Sequence, residues 1–143
     1  MITFDELNAQ NHDITELSNV VLYLIADRAM CDTKTAYELF SQYLDGVKQH
    51  LSVVDQLYPI LLADRSQHTN NTANNFMSGE QEIKKIIATY VKTWINKKKR
   101  ELVIRDYEEF LQDTKTLFHL VLDRIQDETE HLYPLVRRIG FEG

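Results

Sequence analysis

The chain has 143 residues, 43% of them hydrophobic and 27% charged, which is the composition of a globular protein of about one ordinary domain. A formal net charge of −6 disfavours nucleic acid as a partner. No apolar run approaches the ~20 residues of a membrane helix, so no membrane association is expected. The single cysteine, Cys31, allows no internal disulfide, and the first residues show neither a basic start nor an apolar segment. We therefore expect one soluble domain over residues 1–143, located in the cytoplasm.

Helical spacing of apolar residues predicts two helices in the first half of the chain. The first helix is expected over Asn11–Arg28, where leucine, isoleucine and valine recur every three or four positions. Asp32 or Thr33 is expected to cap the second helix. Pro59 lies inside the second apolar pattern and should bend that helix or end it soon afterwards.

The second half of the chain predicts two further helices. The polar stretch 64–75 is typical of a loop, and Ser78 is the expected cap of the third helix. This helix should end in the basic run 97–100, which is either a solvated helix end or a docking patch for an acidic partner. The fourth helix is expected from about Asp106 to Gly140. With only 4 Gly and 2 Pro, no sheet is expected, and the prediction is an all-α, antiparallel up-and-down four-helix bundle.

The two halves of the sequence echo each other. Leu57-Tyr58-Pro59 recurs 75 residues later as Leu132-Tyr133-Pro134. Stepping back nine residues from each proline pairs His50 with Ile125. A helix pair that has been duplicated into a bundle explains this repeat better than chance does.

The first and third helices can be superposed in the same way. Matching Ile14 to Ile83, an offset of 69 residues, pairs His12 with Gln81. The two offsets differ by no more than a change in loop length would produce, which supports the duplication.

These motifs resemble the hemerythrin-like (HHE) family. The resemblance rests on Asn11-His12-Asp13-Ile14, on His50 with Asp55 five residues on, and on the two Leu-Tyr-Pro triplets, and it covers nearly the whole chain. It implies a four-helix bundle around a di-iron centre, in which about five histidines and two carboxylates leave one position open for dioxygen. Only His12 and His50 occupy positions where the family has histidine ligands. Gln81 and Ile125 occupy the corresponding positions in the second half of the chain. The resemblance therefore implies a degenerate metal site.

A reduced metal site can still be drawn from the remaining residues. His12, His50, Asp55 and Glu130, with Glu128 near, would suit a single iron, zinc or manganese ion if they converged at one level of the bundle. The alternative is that the two histidines sit at the edge of the core and form a hydrogen-bond network with the acids. Both interpretations stand open at this point.

A second resemblance is to bacterial anti-sigma proteins of the regulator of sigma D type. Those helical bundles share a histidine followed five residues later by an acid, here His50 and Asp55, and a Tyr-x-x-Phe entry to the last helix, here Tyr107-Glu108-Glu109-Phe110. The likeness covers patches of the chain. It implies that a metal-free bundle of this kind can bind a partner protein.

We predict a regulatory or protein-interaction domain with no catalytic residues. The sequence contains no Gly-rich phosphate loop, no Cys-x-x-Cys and no His-Glu-x-x-His. A protein partner is expected at the acidic last helix, with Arg138 and Phe141 as its contact residues. The alternatives are an oxygen or redox sensor or carrier that uses the reduced metal site, and an anti-sigma-type transcription regulator.

Overall fold

The computed structural model describes residues 3–139. Its helices are α1 (Phe4–Ile25), α2 (Lys34–Val54), α3 (Tyr58–Leu62), α4 (Gln67–Trp94), α5 (Tyr107–Asp127) and α6 (Tyr133–Arg138). A 3₁₀ helix, Arg28–Asp32, joins α1 to α2, and a π-helical turn, Glu128–Leu132, joins α5 to α6. Between α4 and α5, two-residue strands β1 (Ile95–Asn96) and β2 (Glu101–Leu102) pair antiparallel.

The predicted all-α four-helix bundle is confirmed. The four long helices α1, α2, α4 and α5 form it, with α1 against α2 and α5, and α4 against α5. The short helices α3 and α6 each begin at a tyrosine followed by proline, and they pack against each other. Proline suits a first helical turn because its missing N–H would have no partner there. Helix α2 ends at Val54, before Pro59 rather than soon after it, and Pro59 lies in the first turn of α3.

Side-chain oxygens cap the four long helices. Each accepts a hydrogen bond from a backbone N–H of the first turn that has no partner within its helix. The pairs are Thr3 with Glu6 (3.0 Å), Thr33 with Ala36 (3.2 Å), Ser66 with Thr69 (3.3 Å) and Asp106 with Glu109 (3.1 Å).

Two predicted helix starts were wrong. The first helix begins at Phe4 rather than near residue 11. The third begins at Gln67, inside the stretch predicted as a loop, so Ser78 lies within a helix instead of capping one. The polar residues there lie mostly on the outer face, while Thr69 and Ala73, four residues apart, are fully buried. Packing of that narrow stripe outweighs the weak helix propensity of asparagine and threonine.

The basic run 97–100 lies in a hairpin and does not end a helix. Helix α4 stops at Trp94, whose carbonyl accepts a hydrogen bond from the Val103 N–H at 2.7 Å. The turn is closed in part by a bond from the Lys99 N–H to Asn96 Oδ1 at 3.1 Å. Arg100 has a φ of 54°, in the left-handed region. The expectation of no sheet was therefore wrong at this one hairpin.

Buried positions repeat from one half of the bundle to the other. In α1 and α4 they repeat at the predicted offset of 69 residues. The matching buried residues are Asn11 with Glu80, Ile14 with Ile83, Ser18 with Ile87, Val21 with Tyr90, and Ile25 with Trp94. In α2 and α5 the offset is 74 residues. The matching buried residues there include Phe40 with Thr114, Val47 with Val121, His50 with Arg124, and Val54 with Glu128.

The π-helical turn explains why the offset changes from 74 to 75 before the Leu-Tyr-Pro triplets. In the first half the chain turns tightly after α2, and the Leu57 N–H bonds to the carbonyl of Val54, three residues back. In the second half the Tyr133 N–H bonds to the carbonyl of Glu128, five residues back. The wider turn absorbs one extra residue, so that Leu57 and Leu132 are both fully buried.

The interior is divided into two apolar clusters along the bundle axis. The larger one centres on the tilted rings of Phe40, Tyr43, Phe110 and Phe118. The smaller one contains the leucine and tyrosine of each Leu-Tyr-Pro triplet together with residues at the start of α1. A layer of buried polar side chains lies where the two clusters meet.

Candidate functional site

The buried polar layer consists of five residues, one from each long helix and one from the π-helical turn: Asn11, His50, Glu80, Arg124 and Glu128. All five residues are at most 8% exposed. Each follows the buried stripe of its own helix, so the helices place them at the same level of the bundle. Burying this many polar groups is costly unless they satisfy one another.

Arg124 lies at the centre of the buried polar layer. Its Nε donates to Glu128 Oε2 at 2.8 Å, one Nη to the Phe76 carbonyl at 2.7 Å and the other to the Tyr58 hydroxyl at 2.6 Å. The guanidinium carbon also lies 4.9 Å from the centre of the Phe76 ring. Burial lowers the pKa of Arg124, but the Glu128 carboxylate raises it, and the net direction is upward. The core therefore holds a permanent positive charge.

Close packing around the guanidinium is provided by Gly79. A β-carbon at this position would lie 3.3 Å from an Nη of Arg124, which is tighter than an ordinary contact. The glycine in the middle of α4 thus leaves room for the arginine head.

His50 and Glu128 form the second buried pair. His50 Nε2 lies 2.7 Å from Glu128 Oε1, and the other ring nitrogen lies 3.1 Å from Gln10 Oε1. The Tyr133 hydroxyl donates to the same Glu128 oxygen at 3.4 Å. Both carboxylate oxygens and both imidazole nitrogens are therefore engaged within the protein.

Glu80 connects the buried polar layer to the surface. It accepts from the Tyr58 hydroxyl at 3.3 Å, and its other oxygen lies 3.2 Å from the Lys84 amine. Lys84 is also 3.8 Å from Asp55, which is 43% exposed. Burial, assisted by the neighbouring Asp55, raises the pKa of Glu80 from 4.5 to about 7. Its carboxyl group therefore changes charge near neutral pH.

This raised pKa predicts a pH dependence of stability. Folding favours the protonated form of Glu80, so its contribution is fully present below pH 4.5 and is lost as the pH rises through about 7. Replacing Glu80 with Gln keeps the hydrogen-bonding shape without the titration. We expect the unfolding free energy of wild type, measured in urea, to fall relative to Glu80→Gln between about pH 5 and 8. A constant difference over this range would show that Glu80 does not titrate in the folded protein.

The structure brings together two of the five predicted metal ligands. His50 and Glu128 meet in the buried polar layer, whereas His12 and Glu130 are exposed and Asp55 stays at the surface beside Lys84. Contrary to the prediction, the five candidate ligands therefore do not converge at one level of the bundle. For the histidines, the hydrogen-bond network that stood as the alternative is found around His50, with Gln10 and Glu128 in place of Asp55 and Glu130.

The errors in α1 and α4 have one cause. The inward residue lies three positions before Ile14 or Ile83, which places Asn11 and Glu80 inside, whereas the motif-based alignment used the residue two positions before. Three residues turn a helix through about 300° and two through about 200°, so the neighbouring residue faces outward. The strict spacing of buried residues was the signal that would have found Asn11 and Glu80.

In the fourth helix the error came from the π-helical turn. Counting back from Leu132-Tyr133-Pro134 without the extra residue selects Ile125, while the inward polar residue is Arg124. Sequence reasoning missed Arg124 altogether, because an arginine was weighed only as a surface charge.

The residues of the buried polar layer do not fit a metal ion. The position between its acids is filled by the Arg124 guanidinium, and a second cation beside it would be repelled. The candidate ligand atoms of His50 and Glu128 already have hydrogen-bond partners. Among the side chains of the layer, the oxygen without a hydrogen-bond partner is Asn11 Oδ1, which belongs to a neutral amide. Within residues 3–139, no group of three or more His, Cys, Asp or Glu is arranged to hold a metal ion.

The predicted partner residues fall in different positions. The Arg138 guanidinium donates to the hydroxyl of buried Thr69 at 2.9 Å, so this side chain ties α6 to α4. Phe141 lies outside the described residues.

Over residues 3–139, none of the helices combines the length and apolar character that spanning a bilayer requires.

The long helices and the buried polar layer between the two apolar clusters define the class of small all-α helical bundles. Residues 3–136 match the model of a family described as "Hemerythrin HHE cation binding domain". The chain belongs to this hemerythrin family. No match was found among curated proteins or among solved structures.

Proposed function

We propose that this hemerythrin-family domain is a regulatory or protein-binding module that works without a di-iron centre. The observation that carries the proposal is the Arg124 guanidinium, which pairs with Glu128 and satisfies the acids of the core from within the chain. A fixed side-chain cation cannot open a coordination position for dioxygen or change its oxidation state. Without a di-iron centre, the bundle still offers a stable helical surface to a partner protein. The proposal includes no catalytic role.

Three of the residues behind the likeness to anti-sigma bundles are used inside the fold, whereas Asp55 lies at the surface. His50 is bound by Gln10 and Glu128, the Tyr107 hydroxyl donates to the Ile25 carbonyl at 2.7 Å, and Phe110 is fully buried. A partner would therefore contact other residues. Our candidate remains the predicted last helix, where Asp123, Asp127 and Glu130 are exposed, together with the end of the chain at Arg138 and Phe141.

The proposal predicts metal-independent partner binding. The full chain, purified without chelator from iron-supplemented cells, is expected to carry well under one metal ion per chain by elemental analysis. Immobilised protein should capture the same partners from native extract with and without EDTA, and Phe141→Ala combined with Arg138→Glu should lose them.

Arg105→Glu, at an exposed position beside the hairpin, is the matched charge control and should capture normally. Because Arg138 bonds to Thr69, Phe141→Ala alone and a circular dichroism melt separate loss of contact from loss of fold. A pair of irons in each chain, or capture that EDTA abolishes, would overturn the proposal.

A further inference from the structure

A groove with a volume of about 830 Å³ runs between α2 and α4. Its floor is apolar: Leu44, Leu51 and Ile87 lie at the bottom, and Val91 and Ile95 continue the strip toward the hairpin. This volume is within the usual range of small-molecule sites, which often lie between the helices of bundles.

The rim of the groove is basic although the whole chain is acidic. Four lysines and two aspartates line it, whereas the net charge of the protein is −6. Lys84 is paired with Glu80 and Asp55, but among residues 3–139 no carboxylate lies within 4.0 Å of Lys48, Lys92 or Lys97.

These free lysines are distributed unevenly. Lys92 and Lys97 stand at the hairpin end, where the guanidinium of Arg100 also lies 5.7 Å from the ring of Tyr37. Of the two aspartates, Asp55 stands at the C-terminal end of α2 beside Lys84, and Asp45 lies within α2. An anionic group is therefore favoured at the hairpin end.

We propose that this groove binds a single-chain anionic amphiphile, an alkyl carboxylate of the fatty-acid type. The carboxylate lies between Lys92 and Lys97, and the alkyl chain follows the floor past Val91 toward Leu51. The apolar area of the floor is small, since Leu44, Leu51 and Ile87 are only 3–7% exposed. It suits a methylene chain, whereas a partner helix about 10 Å wide needs a broader apolar strip. The inference does not depend on the protein-binding role proposed above.

The test uses the full chain freed of lipid and titrated with dodecanoate below its micelle concentration. We expect saturable one-to-one binding by calorimetry, with amide shifts in NMR spectra at Leu51, Ile87 and Val91. Reversing the charge at the basic end with Lys92→Glu and Lys97→Glu should weaken binding about tenfold or more.

Two controls decide the interpretation. Lys85→Glu with Lys115→Glu makes the same change in net charge at exposed positions outside the groove and should bind like wild type. Dodecylammonium has the same chain with the opposite charge and should not saturate the site. Equal weakening by both double variants, or equal binding of both amphiphiles, would overturn the proposal. The proposal would also be overturned if an acidic amphipathic peptide shifted these amide signals and dodecanoate did not.

Discussion

Replacing Arg124 with methionine is expected to destabilise the protein by about 3–5 kcal/mol, because it leaves Glu128 as a buried charge without its cation. Methionine keeps much of the side-chain volume, so the loss reports the guanidinium rather than a cavity. Glu128 is fully buried and Arg124 is 8% exposed, so little water can replace the lost partner. This loss is a large part of the total stability of a small domain. Urea unfolding followed by circular dichroism measures it.

The protein contains its own matched control for this experiment. Arg28 and Asp32 form an ion pair with the same four-residue spacing at 3.1 Å, but their side chains are 43% and 69% exposed. Arg28→Met should therefore cost less than about 1 kcal/mol. If Arg124→Met costs no more than Arg28→Met, the guanidinium does not balance the charge of the core.

A double variant separates charge balance from packing. Arg124→Met together with Glu128→Leu removes both charges and should recover most of the stability lost in the single variant. It also imitates the first half of the bundle, where buried Val54 is the counterpart of Glu128.

Much of the fold could be predicted from the sequence because apolar periodicity and the Leu-Tyr-Pro repeat are local signals. They indicated the four helices and the duplication. The hairpin and the start of α4 could not be predicted in this way, since they depend on contacts made after folding. Thr69, for example, is polar and helix-neutral, yet it is buried and binds Arg138 from the far end of the chain.

The buried polar layer was predicted less well than the fold. Its members are found by which side of a helix they occupy, and an error of one residue moves a side chain out of the core. His50 was considered both as a metal ligand and as a residue at the edge of the core, and it is buried in the stripe of α2 that also holds Val47 and Val54. Arg124 and Glu128 depend on a π-helical turn, which has no clear sequence signature.

Two single-residue deletions are expected to show that the π-helical turn sets which residues enter the core. Deleting Thr129, an exposed residue of the turn, should allow the turn to close as in the first half, with Arg124 and Glu128 still inside. Deleting Asp123, an exposed residue of α5, should close the same turn but shift the intervening segment by one position. Ile125 and Thr129 would then replace Arg124 and Glu128 in the buried polar layer.

Both deletion variants have the same length and keep Leu132-Tyr133-Pro134 in place, so their difference reports the shift of the segment that carries Arg124 and Glu128. With Asp123 deleted, His50 and Glu80 lose their central partners, and this variant should be less stable than the Thr129 deletion by at least about 3 kcal/mol. The midpoint of urea unfolding, measured side by side at one pH, gives the comparison. Equal stability of the two variants would mean that the extra residue of the π-helical turn has no part in placing Arg124 and Glu128. A less stable Thr129 deletion would mean that the turn is needed for its own packing, and the duplication argument would then fail at this point of the chain.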